Sequence, residues 1–296
     1  MPSERRERLE EPRGRAPPYD GGPGCRRTPV TYLDELLGGA RARVAAAQDR
    51  EPLEALRARA ANVPVGPSLE QALSAPGVSV IAEIKRASPS KGALAPDLQA
   101  PVQARAYMDG GAAAVSVLTE PDRFHGSLAD LADVAALGVP TLRKDFLVDP
   151  YQVWEARGAG ASAVLLIVAA LDEPTLALLH DEARAAGLDV LVEVHDETEV
   201  AAARRIDARI VGVNARDLKT FEIDRDAFPR LRSQLAPSCL AVAESGVRDA
   251  DDVTRAGAEG ADAVLVGESL VLAADPAGAV AELVEAGRAV VGEAHT

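Results

Sequence analysis

The chain has 296 residues, 47% of them apolar and 26% charged, with a net charge of −14. That acidic balance excludes a general nucleic-acid or anionic-membrane binder, which needs a basic face. The longest apolar run, 163–171, has nine residues where a membrane helix needs about twenty. Two cysteines, Cys25 and Cys239, and four histidines are too few for a disulfide framework or a Cys-rich metal site.

The length suits either two domains or one α/β barrel. Residues 1–29 stand apart from the rest. They hold seven arginines against five acidic residues, a net of +2, so the remaining 267 residues carry −16. Frequent Pro and Gly and the lack of apolar periodicity predict a disordered N-terminal extension, 1–29, ahead of a folded unit, 30–296. The extension has no apolar core for a signal peptide, and its acidic residues argue against a transit peptide. One expectation is that translation starts near Val30.

From Thr31 the pattern is helical. Tyr32, Leu33, Leu36 and Leu37 open an amphipathic stretch, Pro52 starts a second helix and Ser68 caps a third that ends near Ser74, giving extra helices over about 31–75. After Gly77 short apolar runs alternate with amphipathic segments. Strands are predicted at 78–85, 113–118, 139–144, 163–168, 189–194, 209–214, 240–244 and 263–266, with starts 20 to 35 residues apart. Gly111, Gly138, Gly160, Gly187 and Gly260 fall where helix C-caps belong. Eight such units predict a single eight-stranded parallel β/α (TIM) barrel. An open doubly wound sheet is the alternative, but no Gly-x-Gly-x-x-Gly follows the first strand.

A barrel places its chemistry at the carboxyl ends of its strands. Side chains alternate faces along a strand, so Ile81, Glu83 and Lys85 share one face, as do Leu142, Lys144 and Phe146, Leu191 and Glu193, and Gly212 and Asn214. If this phase points inward, two lysines and two carboxylates meet at one mouth, while Ala82, Ile84 and Arg143 pack against the helices. A structural salt-bridge network, Glu83–Lys144 and Lys85–Glu193, is the plainer alternative. The two last loops, Glu244-Ser245-Gly246 and Gly267-Glu268-Ser269, have small residues and a helix start where barrel phosphate sites lie. They predict a phosphate site at Ser245, Gly246, Gly267, Glu268 and Ser269, with Lys85 as a nearby cation.

The run Ala82-Glu83-Ile84-Lys85-Arg86-Ala87-Ser88-Pro89-Ser90-Lys91-Gly92 resembles the signature of the indole-3-glycerol-phosphate synthase family. Further matches follow in order. They are Ser116-Val117-Leu118-Thr119-Glu120, Leu142-Arg143-Lys144-Asp145-Phe146, Leu191-Val192-Glu193-Val194-His195, Gly212-Val213-Asn214-Ala215-Arg216-Asp217-Leu218 and Ala243-Glu244-Ser245-Gly246. The resemblance spans about 31–287 and implies a barrel with extra N-terminal helices. It implies a cytoplasmic lyase of tryptophan biosynthesis that needs no cofactor or metal and acts on a phosphorylated small molecule. Its substrate, a carboxyphenylamino-deoxyribulose phosphate, closes to an indole ring with loss of carbon dioxide and water.

On that resemblance Lys144 is the general acid of ring closure, Glu193 the general base and Glu83 a partner carboxylate. Lys85 contacts substrate anions and can serve as second acid. Asn214, Glu244, Ser88 and Arg216 match further site positions, and Phe124, Phe146, Leu166 and Leu265 would wall the aromatic pocket. A lysine acid works best with its pKa lowered, which nearby cations and desolvation would do. The segment 88–97 is expected to be a mobile loop over the site. His125 departs from the family pattern, and both His125 and His195 read as solvent or packing histidines. The implied partners are substrate alone or other enzymes of the pathway, with a monomer or weak homodimer expected. An isomerase barrel of the same pathway is the nearest rival. It would typically use Cys and Asp, whereas Cys239 opens the seventh strand, away from the productive end. A catalytically silent binding barrel is the rival of a different class.

Overall fold

The computed structural model describes residues 31–89, 91–217 and 220–293. The predicted extension with Cys25, the start near Val30, and the motif residues Ser90 and Leu218 lie outside the described residues.

Three helices precede the barrel. The first, α1 (Tyr32–Arg50), begins with a capping box in which Thr31 and Asp34 satisfy each other's backbone N–H groups. It buries Leu36, Leu37, Ala40, Val44 and Ala47. Next come α2 (Leu53–Ala60) and the short α3 (Leu69–Leu73), capped by Ser68. These are the three helices that the sequence predicts.

The barrel strands are β1 (Ser79–Ile84), β2 (Ala114–Leu118), β3 (Thr141–Lys144), β4 (Ala163–Ile167), β5 (Asp189–Val194), β6 (Ile210–Asn214), β7 (Leu240–Glu244) and β8 (Ala263–Val266). All pair in parallel in chain order, and β1 closes on β8 through Ser79 opposite Ala263. Each predicted strand is present, displaced by two residues at most. The outer helices are α4 (Ala100–Asp109), α5 (Leu128–Ala135), α6 (Pro150–Gly158), α7 (Glu173–Ala185), α8 (Glu197–Arg205), α9 (Ala227–Arg232), α10 (Ala250–Ala258), α11 (Glu268–Val271) and α12 (Pro276–Glu293). The five glycines named as C-caps all have positive φ, between 76° and 90°, the left-handed geometry that lets a helix turn into the next strand.

Alternation along the strands divides the core in two. Val80, Ala82, Ile84, Val115, Val164, Leu166, Val192 and Val264 belong to the layer between barrel and helices. Ile81, Ala114, Leu142, Leu165, Leu191, Val242 and Leu265 fill the barrel interior. Leu69 and Leu73 of α3 join that inner cluster, as do Leu36 and Leu37 of α1. Arg143 lies in the outward phase as predicted, donating to the Gln152 carbonyl and to Glu155 on α6. The segment after β1 contains a short antiparallel hairpin, Ala87–Ser88 paired with Gly92–Ala93, that the sequence does not signal.

Candidate active site

The inward phase delivers a charged cluster to the carboxyl ends of the strands. Lys144 ends β3, and its Nζ lies 3.2 Å from Glu193 Oε2 on β5 and 3.2 Å from Glu244 Oε2 on β7. Lys85, just past β1, donates to Glu83 Oε1 at 2.8 Å. Asn214 at the end of β6 donates to Glu193 Oε1 at 3.0 Å, and its own Oδ1 accepts from Ser245 Oγ at 2.8 Å and from the Arg216 backbone N–H at 3.0 Å. The four ionisable residues therefore do converge. The pairing differs from the salt-bridge alternative: Lys85 turns back to Glu83, two residues earlier in the chain, leaving Lys144 to Glu193 and Glu244.

Glu83, Glu193 and Glu244 are all buried. Burial alone would disfavour their charge, so the lysines decide their states. Burial pushes Glu83 up, but Lys85 and Lys144 outweigh it and hold its carboxyl below the usual range. Burial also pushes Glu193 up, and Lys144, His195 and the Asn214 hydrogen bond bring it below the usual range. Glu244 is the exception. Burial, with Glu193 and Glu83 nearby, pushes it up to about 7 despite Lys144. The expectation of a lowered lysine pKa fails for Lys144. Burial pulls its pKa down, but Glu244, Glu193 and Glu83 together raise it well above the ordinary value. Among the described residues, carboxylates and not cations surround this amine.

Two glycines make room for the cluster. A Cβ at Gly212 would lie 1.9 Å from Glu244 Oε1, and one at Gly267 would lie 2.6 Å from Glu83 Oε1 and 3.1 Å from Lys85 Nζ. A side chain at either position would force the carboxylate beside it to move, so Gly212 and Gly267 leave the charged site its room. Gly212 falls in the middle of β6 and Gly267 just past the end of β8, and neither has the positive φ that would itself call for glycine.

The cluster forms the floor of a cavity of about 610 Å³, a size suited to a small-molecule ligand. One wall is apolar. Phe124 and Phe146 stand with ring centroids 6.3 Å apart, and Leu265 faces the same space. Leu166 does not. It is fully buried in the outer layer, and its neighbours Leu165 and Ile167 line the cavity instead. Strand alternation is the physical reason, because Ala163, Leu165 and Ile167 share the inward face of β4. Tyr32, Leu33 and Leu36 of α1 complete the mouth, with Phe221 edge-on to Tyr32 at 5.5 Å. Sequence reasoning missed these; an amphipathic first helix was visible, but nothing local marked which face it turned to the barrel.

At the other end of the cavity lie Ser88, Lys91, Arg216, Ser245, Gly246, Arg248, Gly267, Glu268 and Ser269. The hydroxyls of Ser88 and Ser269 are buried without a hydrogen-bond partner. Ser245 and Gly246 both have positive φ, 64° and 83°, which turns the chain sharply after β7. The helix starts contribute less than the sequence suggests. Helix α11 has four residues, too short for a substantial dipole, and α10 begins at Ala250 under its own Asp249 cap. The Glu268 side chain repels an anion and instead pairs with Lys91 at 3.6 Å.

His125 has φ 55°, and its carbonyl accepts from Arg86, which also forks onto Asp130. Its ring is not among the cavity-lining groups. His195 is half-buried and lies between two carboxylates. Its Nδ1 lies 3.0 Å from Glu199 Oε2 and its Nε2 3.4 Å from Glu193 Oε1. Cys239 is buried, and burial pushes its thiol up to about 11, leaving it inert at neutral pH. Among the described residues no group of three or more His, Cys, Asp or Glu is placed to hold a metal ion, and no helix is long and apolar enough to cross a membrane.

A closed parallel barrel with half-buried lysines and buried carboxylates at its carboxyl rim, an apolar wall and small-residue last loops has the build of a β/α-barrel enzyme. Solved barrels share the fold: thiamine phosphate pyrophosphorylase from Pyrococcus furiosus aligns with a TM-score of 0.57 at 16% identity, over 75% of this chain and 99% of that one. The family model for indole-3-glycerol phosphate synthase matches residues 33–283. The indole-3-glycerol phosphate synthase of Mycobacterium ulcerans (strain Agy99) is 51% identical over 88% of this chain and 96% of its own length. That of Mycobacteroides abscessus is 52% identical over 87% and 95%. The chain belongs to the indole-3-glycerol phosphate synthase family.

Proposed function

We propose that this chain converts 1-(2-carboxyphenylamino)-1-deoxy-D-ribulose 5-phosphate to indole-3-glycerol phosphate, with release of carbon dioxide and water. The observation that carries the reading is Lys144 Nζ held between two buried carboxylates at 3.2 Å, on the floor of a cavity with one apolar and one polar end.

The substrate's aromatic ring lies against Phe124, Phe146, Leu165 and Leu265. Its phosphate lies at Ser245, Gly246, Gly267 and Ser269, where backbone N–H groups and the unpartnered Ser269 hydroxyl are available. Lys85, beside Gly267, and Arg216 supply positive charge to the substrate's anions. Lys144 then protonates the ketone oxygen as the ring carbon bearing the carboxylate attacks the carbonyl carbon. Loss of carbon dioxide restores aromaticity. Dehydration follows: a lysine protonates the departing hydroxyl, Lys85 being placed for it, and Glu193 takes the proton that leaves carbon. Two protons are delivered and one is taken back, so each turnover of the substrate carboxylate consumes one proton. Glu83 and Glu244 hold the lysines in place, and Asn214 orients Glu193.

Glu244 sets the strength of the acid. When Glu244 is ionised, Lys144 is held by three anions and gives up its proton reluctantly; when Glu244 is protonated, that hold weakens. The reading includes a cytoplasmic enzyme, acting as a monomer or weak homodimer from the folded unit 30–296, with contacts to neighbouring enzymes of the pathway. The test is incubation of the purified chain with the carboxyphenylamino substrate while indole fluorescence is followed. Growth of the signal, abolished in Glu193→Gln, is expected. Binding of the substrate without any signal would identify a silent binding barrel instead.

A further inference from the structure

His195 stands outside the cavity lining, yet it touches the carboxylate that faces into it. It follows Glu193 by two residues, so both side chains leave the strand end on the same side. Glu199, in the first turn of α8, accepts from the His195 backbone N–H at 2.8 Å and faces Nδ1 at 3.0 Å with the same oxygen. That double contact fixes the ring plane and puts a proton on Nδ1. Nε2 is left buried, without a hydrogen-bond partner, 3.4 Å from Glu193 Oε1. A bare nitrogen lone pair facing a carboxylate oxygen is repulsive; an N–H there is attractive.

We infer that His195 is a positioning residue for Glu193: clamped by Glu199, it turns an Nε2–H toward Oε1 and keeps that carboxylate ionised and in place. The inference rests on Glu193 being the base of the proposed reaction. Three groups then hold Glu193, with Lys144 on Oε2 and Asn214 and His195 on Oε1. The charged groups facing His195 are Glu199 on α8, Glu193 on β5 and, farther off, Glu244 on β7. Burial disfavours its cation, but these carboxylates raise its pKa above the ordinary value.

The test compares the wild type with His195→Gln, which keeps an amide N–H but has no charge. A base works only when ionised, so activity falls as pH drops through its pKa. Removing a neighbouring cation raises that pKa. In His195→Gln the acidic limb of kcat is therefore expected at higher pH, with KM little changed. A limb that stays put while Tm falls would reduce His195 to a structural role and overturn the inference. A second arm does not depend on turnover. The His195 ring is titrated by NMR in the full chain, its signal assigned by its absence in His195→Gln. It is expected to titrate above the usual histidine value of about 6.5 and to fall toward it in Glu193→Gln. A titration unmoved by Glu193→Gln would overturn the coupling. Full activity of Glu193→Gln with a shifted titration would instead sink the base assignment while leaving the pair intact.

Discussion

The two rims of the barrel are built from the same strands and treat polar groups differently. At the amino ends, Asp189 accepts from the Ser68 hydroxyl at 2.8 Å and the Glu70 backbone at 3.0 Å, Asp262 accepts from the Ala241 backbone at 2.8 Å, and Arg157 donates to the Ala186 carbonyl at 3.0 Å. Leu69 and Leu73 seal the interior behind them. Left-handed turns there fall largely on glycine. At the carboxyl ends, Ser88, Ser269, Glu244 and His195 each bury a polar atom without a partner, and His125, Phe221 and Ser245 take positive φ without being glycine. Each such backbone conformation costs about 1 kcal/mol or more. The amino rim ties these polar groups into the fold; at the carboxyl rim Ser88 and Ser269, which line the cavity, keep their hydroxyls unpartnered.

That contrast breaks if changes at the reactive rim prove merely structural. The largest effect is expected from Lys144→Met, which should cut kcat by roughly a thousandfold or more while the circular dichroism spectrum stays that of the wild type, with Tm lowered because Glu193 and Glu244 lose their counter-charge. Gly212→Ala comes next. Its methyl collides with the Glu244 carboxylate, so steady-state kinetics should show a loss of roughly tenfold or more and thermal unfolding a cost of about 1 to 3 kcal/mol.

A pH profile sharpens the same contrast. Glu244 ionises near 7, and its ionisation strengthens the hold on the Lys144 proton, so kcat limited by ring closure should fall as pH rises through about 7. Glu244→Gln should lack that limb. The same raised pKa makes folding stability fall as pH climbs from the ordinary carboxylate range to about 7. Chemical denaturation should show a smaller decline across that window in Glu244→Gln.

Leu165→Ala and Leu166→Ala separate the two faces of one strand. Both should lose about 2 to 5 kcal/mol on unfolding, but only Leu165→Ala should raise KM, by roughly tenfold. The smallest effect belongs to the quiet rim: Ser68→Ala removes a helix cap and its bond to Asp189, costing about 1 kcal/mol with kcat and KM unchanged.

The eight strands were legible because each buries both faces and reads as a short apolar run, five of them directly behind a C-cap glycine. The inward set of Glu83, Lys85, Lys144, Glu193 and Asn214 followed from period-two alternation anchored on charge. Leu166 was misplaced because both phases of β4 are apolar, so no charge marked which one faced inward. The mouth residues Tyr32 and Phe221 meet across most of the chain, and no local pattern encodes that meeting. The lysine pKa was misread because it depends on how many carboxylates converge on one amine. That number is set by three strands at once.

The central claim is that Lys144 delivers the proton that starts ring closure, before carbon dioxide can leave. The direct measurement is a single turnover of Lys144→Met with substrate labelled in its carboxylate, following labelled carbon dioxide and indole absorbance together. Neither is expected to appear on the wild-type timescale while bound substrate is retained. Release of carbon dioxide at the wild-type rate, with or without indole, would contradict it.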